Sequence, residues 1–133
     1  MNKKTVMTLM NLGIPASLKG FGYLADAIEM CQNDPQAIHL ITKRLYPQVA
    51  KQNNTTASRV ERAIRHAVEV CFNRISPDTI TEYFGATVSY TKGKLTNSEF
   101  IAAVVQHLQF EEDKDEIKNT HEHGDAEVLQ PGA

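Results

Sequence analysis

The chain has 133 residues, the size of one domain, and its 41% of apolar residues is typical of a globular protein with a buried core. No apolar run approaches the roughly 20 residues of a membrane-spanning helix, and the N-terminal apolar stretch has no cleavage site. Neither a membrane anchor nor a secretory signal is therefore expected. Cys31 and Cys71 lie among apolar residues and are expected to be reduced core residues, with a disulfide as the alternative that the sequence leaves open.

The net charge of −2 conceals an uneven distribution of charge along the chain. Residues 1–110 hold twelve Lys and Arg against eight Asp and Glu, whereas residues 111–133 hold two lysines against eight acidic residues. Within residues 43–74 there are seven cations and two anions. This distribution says more about the partners of the protein than the near-neutral total does.

Helical patterns dominate the first third of the chain. A short apolar segment spans about residues 3–12, and a glycine and a proline end it. Apolar residues at helical spacing then predict a helix over about residues 17–32, although Gly20 and Gly22 weaken its start. Asp34 followed by Pro35 has the pattern of an N-cap and first helical residue, and predicts the start of a further helix.

The middle of the chain has the pattern of a helix-turn-helix, which needs a scaffold helix, a tight turn and a second helix with an outward-facing start. The first helix is predicted over Pro47–Asn53, and Asn53-Asn54-Thr55 supplies the turn residues. Thr55 or Thr56 is expected to cap the second helix, which runs to about Arg74. Its apolar stripe consists of Val60, Ile64, Ala67, Val68 and Cys71.

The last third continues with the same helical signals. Ser76-Pro77-Asp78 predicts another helix start, and residues 86–95 alternate apolar and polar side chains as a short strand or extended loop would. Thr96 and Glu99 form a capping box before a final helix. The sequence thus predicts an all-α bundle of about six helices over residues 1–110, followed by an acidic, disordered tail over residues 111–133.

The cations of the second helix of this motif are the candidate functional residues. Arg59, Arg62, Arg65 and His66 lie away from the apolar stripe, and arginine can bond guanine O6 and N7 together. Glu61 can accept a hydrogen bond from cytosine N4. Other candidates for DNA contact are Thr56 and Ser58 at the helix start and Lys51 before it. The alternative is a solvated amphipathic helix with a Glu61–Arg65 pair, and periodicity and charge alone leave both open.

The segment "ITKRLYPQVAKQNNTTASRVERAIRHAVEVCFNR", with "LGIPASLKGFGYL" before it and "TNSEFIA" after it, closely resembles the C-terminal effector domains of sporulation master response regulators. These are the stage-zero regulators of endospore-forming Firmicutes, and the resemblance covers about residues 6–110. It implies a six-helix DNA-binding domain that reads short TGTCGAA-like boxes, often as tandem copies. It places base-reading residues on Arg59, Glu61 and Arg62, and phosphate contacts on residues such as Ser58, Arg65 and His66.

The chain departs from that family in two places. No receiver domain precedes the effector region, so a dissected domain or a receiver-less paralogue is expected. The family's contact with the RNA polymerase sigma factor falls within residues 74–84, where "ISPDTITEY" lacks the expected Gly/Ser-rich pattern. Thr79, Thr81 and Phe84 are the candidate polymerase contacts, whereas repression by occupancy needs none.

Other functional classes are less well supported by the sequence. There is no phosphate loop and no catalytic carboxylate pair, so an enzyme is not expected, and neither a cofactor nor a metal is implied. The His-x-His of residues 121–125 lies in the acidic tail, whereas a metal site needs about four ligands held by structure. The expected protein is a transcription regulator that binds double-stranded DNA at the cytoplasmic nucleoid. The alternative is an interaction module that pairs with a full-length sporulation regulator.

Overall fold

The fold is all-α, as the sequence predicts, with the helices packed around one core. The computed structural model describes residues 2–85 and 95–128, with side chains described up to residue 117. In chain order the helices are α1 (Lys3–Asn11), α2 (Lys19–Asn33), α3 (Tyr46–Gln52), α4 (Ala57–Arg74), α5 (Pro77–Phe84) and α6 (Asn97–Val128). No helix within the described ranges is both long enough and apolar enough to cross a membrane.

Helix α2 lies at the centre of the fold and packs against α1, α3, α4 and α6. Its apolar face is fully buried at Leu24 and Ile28, which explains why this segment is helical despite two glycines at its start. Cys31 at its end and Cys71 in α4 are buried free thiols. Burial raises the pKa of the Cys31 thiol to about 11 and that of Cys71 to about 12, so both thiols stay protonated at neutral pH.

Gly20 allows α2 to pack closely on α4, although glycine has a low helix propensity. A Cβ atom at this position would lie 2.8 Å from the carbonyl carbon of Ala63 and 2.9 Å from the Cβ of Ala67, both in α4. Only a residue without a side chain therefore lets α2 approach the backbone of α4 this closely. Gly22, two residues later, has no atom within 4 Å of such a Cβ.

The helix starts that the sequence predicts are confirmed by their capping hydrogen bonds. Ser76 Oγ accepts from the Thr79 N–H at 3.2 Å, and Asp34 Oδ1 accepts from the Gln36 N–H at 3.2 Å. The capping box forms in both directions: Thr96 N–H donates to Glu99 Oε1 at 2.9 Å, and Glu99 N–H donates to Thr96 Oγ1 at 3.1 Å.

The segment between α2 and α3 differs from the regular helix expected after Pro35. It forms a 3₁₀ helix over Pro35–Leu40 and then a π-helical turn over Ile41–Leu45. Proline at position 47 has no N–H for the Lys43 carbonyl and its ring crowds that carbonyl, which disfavours regular α-helical bonding just before it. Instead, the Tyr46 N–H donates five residues back to the Ile41 carbonyl.

The C-terminal part also differs from the expectation. The composition predicts disorder from Glu111 onward, whereas α6 is helical through Val128. Gln109 Nε2 donates to Asp113 Oδ1 at 3.1 Å within the helix, and Lys4 of α1 pairs with Asp115 at 2.9 Å. These contacts, and continuity with the packed first turns of α6, extend a segment whose composition alone favours disorder. Of the strand or loop expected over 86–95, residues 86–94 lie outside the described residues.

Candidate nucleic-acid interface

The turn between α3 and α4 has the local chemistry that the sequence predicts for a helix-turn-helix. The Asn53 N–H donates to the carbonyls of Val49 and Ala50, both at 3.2 Å, and the Thr55 N–H donates to Ala50 at 3.0 Å. Asn54 has a φ of 51°, in the left-handed region that asparagine tolerates better than most residues. The chain thereby turns within a few residues, and α3 packs directly on α4.

A side-chain contact that sequence reasoning missed ties this turn to the centre of the fold. Asn53 Nδ2 donates to Asp26 Oδ2 of α2 at 2.8 Å and to the Val49 carbonyl at 2.8 Å. The partner lies 27 residues earlier in the chain, so no local pattern identifies it. The contact fixes where the turn, and hence the start of α4, lies relative to α2.

Helix α4 begins at Ala57 after an N-cap at Thr56, which decides between the two threonines that the sequence offers. Thr56 Oγ1 accepts from the Arg59 N–H at 3.3 Å. The first turn of α4 carries no acidic residue, and the free N–H groups of a helix start favour an anion. The structure thus places the start of α4 at the surface with a local field suited to phosphate.

The buried and exposed faces of α4 are separated as predicted. The predicted apolar stripe is buried throughout. The exposed candidates on or next to α4 are Thr56, Ser58, Arg59, Arg62, Arg65 and His66, and Lys51 at the end of α3 is exposed as well. Glu61 is half-buried. Side chains three or four positions apart lie on the same surface of a helix. This spacing relates positions 58, 62 and 65, and also positions 59, 62 and 66. The structure therefore brings the predicted DNA-contacting side chains onto one basic face.

The ion pair of the alternative interpretation is also present. Arg65 Nη1 lies 3.4 Å from Glu61 Oε1, and the Arg65 side chain is more exposed than that of Glu61. Exposed pairs of this kind contribute about 0–1 kcal/mol, so a phosphate can compete for the guanidinium at little cost. The pair and a DNA-binding role for the same residues are therefore compatible.

A second anchor of α4 comes from the start of α6. Asn97 Nδ2 donates to the Tyr46 hydroxyl at 3.0 Å and to the Glu61 carbonyl at 3.2 Å. Burial raises the pKa of the Tyr46 hydroxyl, and the bond from Asn97 partly offsets that rise. One amide thus links α3, α4 and α6 beside the basic face, over sequence separations that no local pattern reveals.

The candidate polymerase contacts do not form one exposed patch. Phe84 is only 7% exposed, and its ring centroid lies 5.6 Å from that of Phe72 and 5.5 Å from that of Phe100. Its aromatic surface is used in the core, so Phe84 is not available as a surface contact. Thr81 is exposed and Thr79 is half-buried on the same short helix.

The described side chains contain no group of three His, Cys, Asp or Glu residues arranged to hold a metal ion. The His-x-His at residues 121–125 lies where side chains are not described.

A comparison with known protein families identifies the family of the chain. Residues 5–108 match the family described as sporulation initiation factor Spo0A C terminal. The match includes α1 almost completely, all of α2 to α5, and the packed first turns of α6 up to residue 108. The chain therefore belongs to the Spo0A C-terminal family, the DNA-binding domain of the sporulation regulator.

Proposed function

We propose that this protein reads short TGTCGAA-like boxes in double-stranded DNA through α4 and regulates transcription in the sporulation-regulator manner. The observation that carries the proposal is the exposure of Arg59 and Arg62 at the capped start of α4, directly after a helix-turn-helix turn. In such motifs the first turns of the second helix enter the major groove.

The residues of the basic face divide into two roles under this proposal. Arg59 and Arg62 bond guanine edges, and Glu61 accepts from a cytosine N4 amino group. The flanking groups hold the phosphates and set the register of α4; they are Lys51, Thr56, Ser58, Arg65 and His66. Because the base-reading residues are few and adjacent, the box they read is short.

Several partners follow from the same proposal. Two copies bind side by side on tandem boxes, and the site of action is the nucleoid in the cytoplasm. Contact with the polymerase sigma factor is proposed for the exposed part of α5, around Thr81, since Phe84 is buried. The chemistry of arginine, carboxylate and hydroxyl contacts to DNA requires no cofactor.

A second candidate function is an interaction module that pairs with a full-length sporulation regulator. It is favoured by a groove of about 590 Å³ between the end of α2 and α6, lined in part by Ile38, Val105 and Phe110. Phe110 is 65% exposed, which is unusual for so large an apolar side chain. This surface lies on different elements from the basic face, so the two functions do not exclude each other.

A titration at fixed salt tests the proposal. The wild-type protein is expected to bind a TGTCGAA duplex more tightly than a scrambled duplex. Arg59→Ala and Arg62→Ala should each lose about 1–3 kcal/mol on the box and much less on the scrambled duplex. Lys114→Ala is the matched control, because it removes an exposed cation from α6 rather than from α4.

Two outcomes would contradict the proposed readout. Equal losses on both duplexes would reduce Arg59 and Arg62 to phosphate contacts without sequence preference. A wild-type protein that binds the two duplexes alike would leave the interaction module as the better description.

A further inference from the structure

A groove runs beside the basic face of α4, between that helix and the π-helical turn. It encloses about 340 Å³. One wall is formed by Thr42 and Tyr46, and the other by α4 residues that include Ser58, Arg62 and Arg65. A neighbouring cavity of about 460 Å³ extends towards the start of α6 and shares four lining residues with the groove, which are Thr42, Tyr46, Glu61 and Arg65.

The irregular backbone explains how Thr42 comes to face α4. The π-helical turn over Ile41–Leu45 buries Leu45 and leaves Thr42 exposed, while Tyr46 is buried and held by Asn97. Of the two cations that follow Thr42, Lys43 is exposed and Arg44 pairs with Asp34 at 2.6 Å. The wall of the groove opposite the arginines thus carries the Thr42 hydroxyl, which comes from the π-helical turn. Such π-helical turns are often found at functional sites.

The charge of the groove favours an anion. Its lining holds two exposed cations, Arg62 and Arg65, and one anion, Glu61, which pairs with Arg65, so the lining is positive by one net charge. Ser58 lies in the first turn of α4, where backbone N–H groups have no helical partner. A phosphate in the groove would therefore meet a guanidinium and donors from one wall and a hydroxyl from the other.

We propose that this groove seats one phosphodiester of the bound duplex, with Thr42 donating from the π-helical turn and Ser58 and Arg65 from α4. The inference rests on the proposed function, which it deepens by adding a residue outside the helix-turn-helix. Because the two walls belong to different elements, a phosphate held between them fixes the rotation of α4 relative to the groove of the DNA. Thr42 is then a positioning residue for sequence readout, although it touches no base.

Neutral-phosphate scanning tests the contact. One methylphosphonate at a time replaces each phosphate of the TGTCGAA duplex, and binding is measured for wild type and Thr42→Val. The wild-type protein should lose affinity at a few positions. At one of these the loss should largely disappear in Thr42→Val, because the variant has already lost the same hydrogen bond. Equal sensitivity of both proteins at every position would overturn the proposal.

Introduction of a negative charge gives a second measurement. Thr42→Glu should weaken binding about tenfold or more, whereas Gln106→Glu, the same added charge on the exposed surface of α6, should change it about twofold or less. Arg65→Gln should flatten the dependence of log affinity on log salt by about 0.9, and Thr42→Val should leave that slope unchanged because threonine carries no charge. Similar weakening by Thr42→Glu and Gln106→Glu would overturn the proposal.

The experiment separates this inference from the proposed function. If wild type does not discriminate the box from a scrambled duplex, the readout by α4 fails, but the Thr42→Glu and Gln106→Glu comparison on scrambled DNA still decides whether the groove binds phosphate. The far-ultraviolet circular dichroism and thermal midpoint of each variant show whether it is folded, and Thr42→Val keeps the shape of the side chain.

Discussion

Helices α4 and α6 begin with the same kind of threonine N-cap, but the charged side chains on their exposed surfaces have opposite signs. Each starts after a threonine whose hydroxyl accepts from an N–H three residues later, Thr56 for α4 and Thr96 for α6. Helix α4 then buries one face along its length and exposes cations on the other. Helix α6 buries only its first turns, and beyond Phe110 most of its described side chains are exposed acids.

The difference shows which part of a helix is determined by local signals. A cap decides where a helix begins, and both starts agree with the sequence prediction. How far the helix continues depends on what it packs against. Helix α4 contacts α2, α3 and α6, whereas the distal half of α6 has left the core and keeps a contact to α1 through Lys4 and Asp115. Packing thus stabilises α4 over its full length and α6 only over its first half.

The largest expected effect comes from matched isoleucine truncations in the two helices. Ile64 in α4 is fully buried, whereas Ile117 in α6 is 70% exposed. Ile64→Ala should lower the free energy of unfolding by about 2–5 kcal/mol, because it leaves a cavity in the core. Ile117→Ala should change it by no more than about 0.5 kcal/mol. Urea denaturation followed by circular dichroism measures both, and comparable losses would mean that the distal part of α6 belongs to the cooperative core.

Substitutions at the two glycines of α2 should have effects of opposite sign. Gly20→Ala should destabilise the fold by about 1–3 kcal/mol, because the added methyl group meets the backbone of α4. Gly22→Ala is the control and should stabilise it by about 0.5–1 kcal/mol, since its methyl group meets open space and alanine favours the helix. If the two variants unfold at the same urea concentration, the close approach of α2 to α4 does not constrain the fold.

The smallest expected effect concerns the acidic charge of α6. Asp115 lies 18 residues beyond Asn97, which contacts α4, so a helical rise places it about 27 Å further along α6. At that separation, deletion of residues 111–133 should tighten DNA binding slightly at low salt and not at about 0.15 M salt, where the Debye length is about 8 Å. Binding titrations of full-length and truncated protein at both salt concentrations measure this.

A charge-neutral version of the segment sharpens the same test. Replacing its acidic side chains with the corresponding amides should give the same small gain in DNA affinity as the deletion, if the acids act only by repelling the DNA phosphates from a distance. A large gain that survives at 0.15 M salt would instead show that the acidic segment reaches the basic face and competes with phosphate there.

The sequence was sufficient for the features that depend on neighbouring residues. Thr56, Ser76 and the Thr96–Glu99 box are caps whose partners lie within three residues, and the apolar stripe of α4 follows from helical periodicity. Sequence reasoning failed where the partner is distant. Gly20 appeared as a weakness of α2 because its neighbour in α4 lies more than 40 residues away.

The candidate site shows the same limit. The exposed cations of α4 were predictable, since a buried stripe leaves the other positions to solvent. The burial of Phe84 was not, because it depends on Phe72 and Phe100 meeting it from other helices. Thr42 carries no local signal, and it lies in a π-helical turn directly before α3, where Pro47 disfavours regular α-helical hydrogen bonding.

The anchoring of α4 has a consequence for how the cost of recognition is shared between protein and DNA. Contacts that exist without DNA hold this region in place. Asp26 holds the turn before α4, and Gly20 and Asn97 contact α4 itself. A helix that already has its final position loses little conformational entropy on binding. The duplex, rather than the protein, must then change its conformation on binding. DNA sequences with easily deformed base steps should therefore bind more tightly, even where those steps contact no side chain.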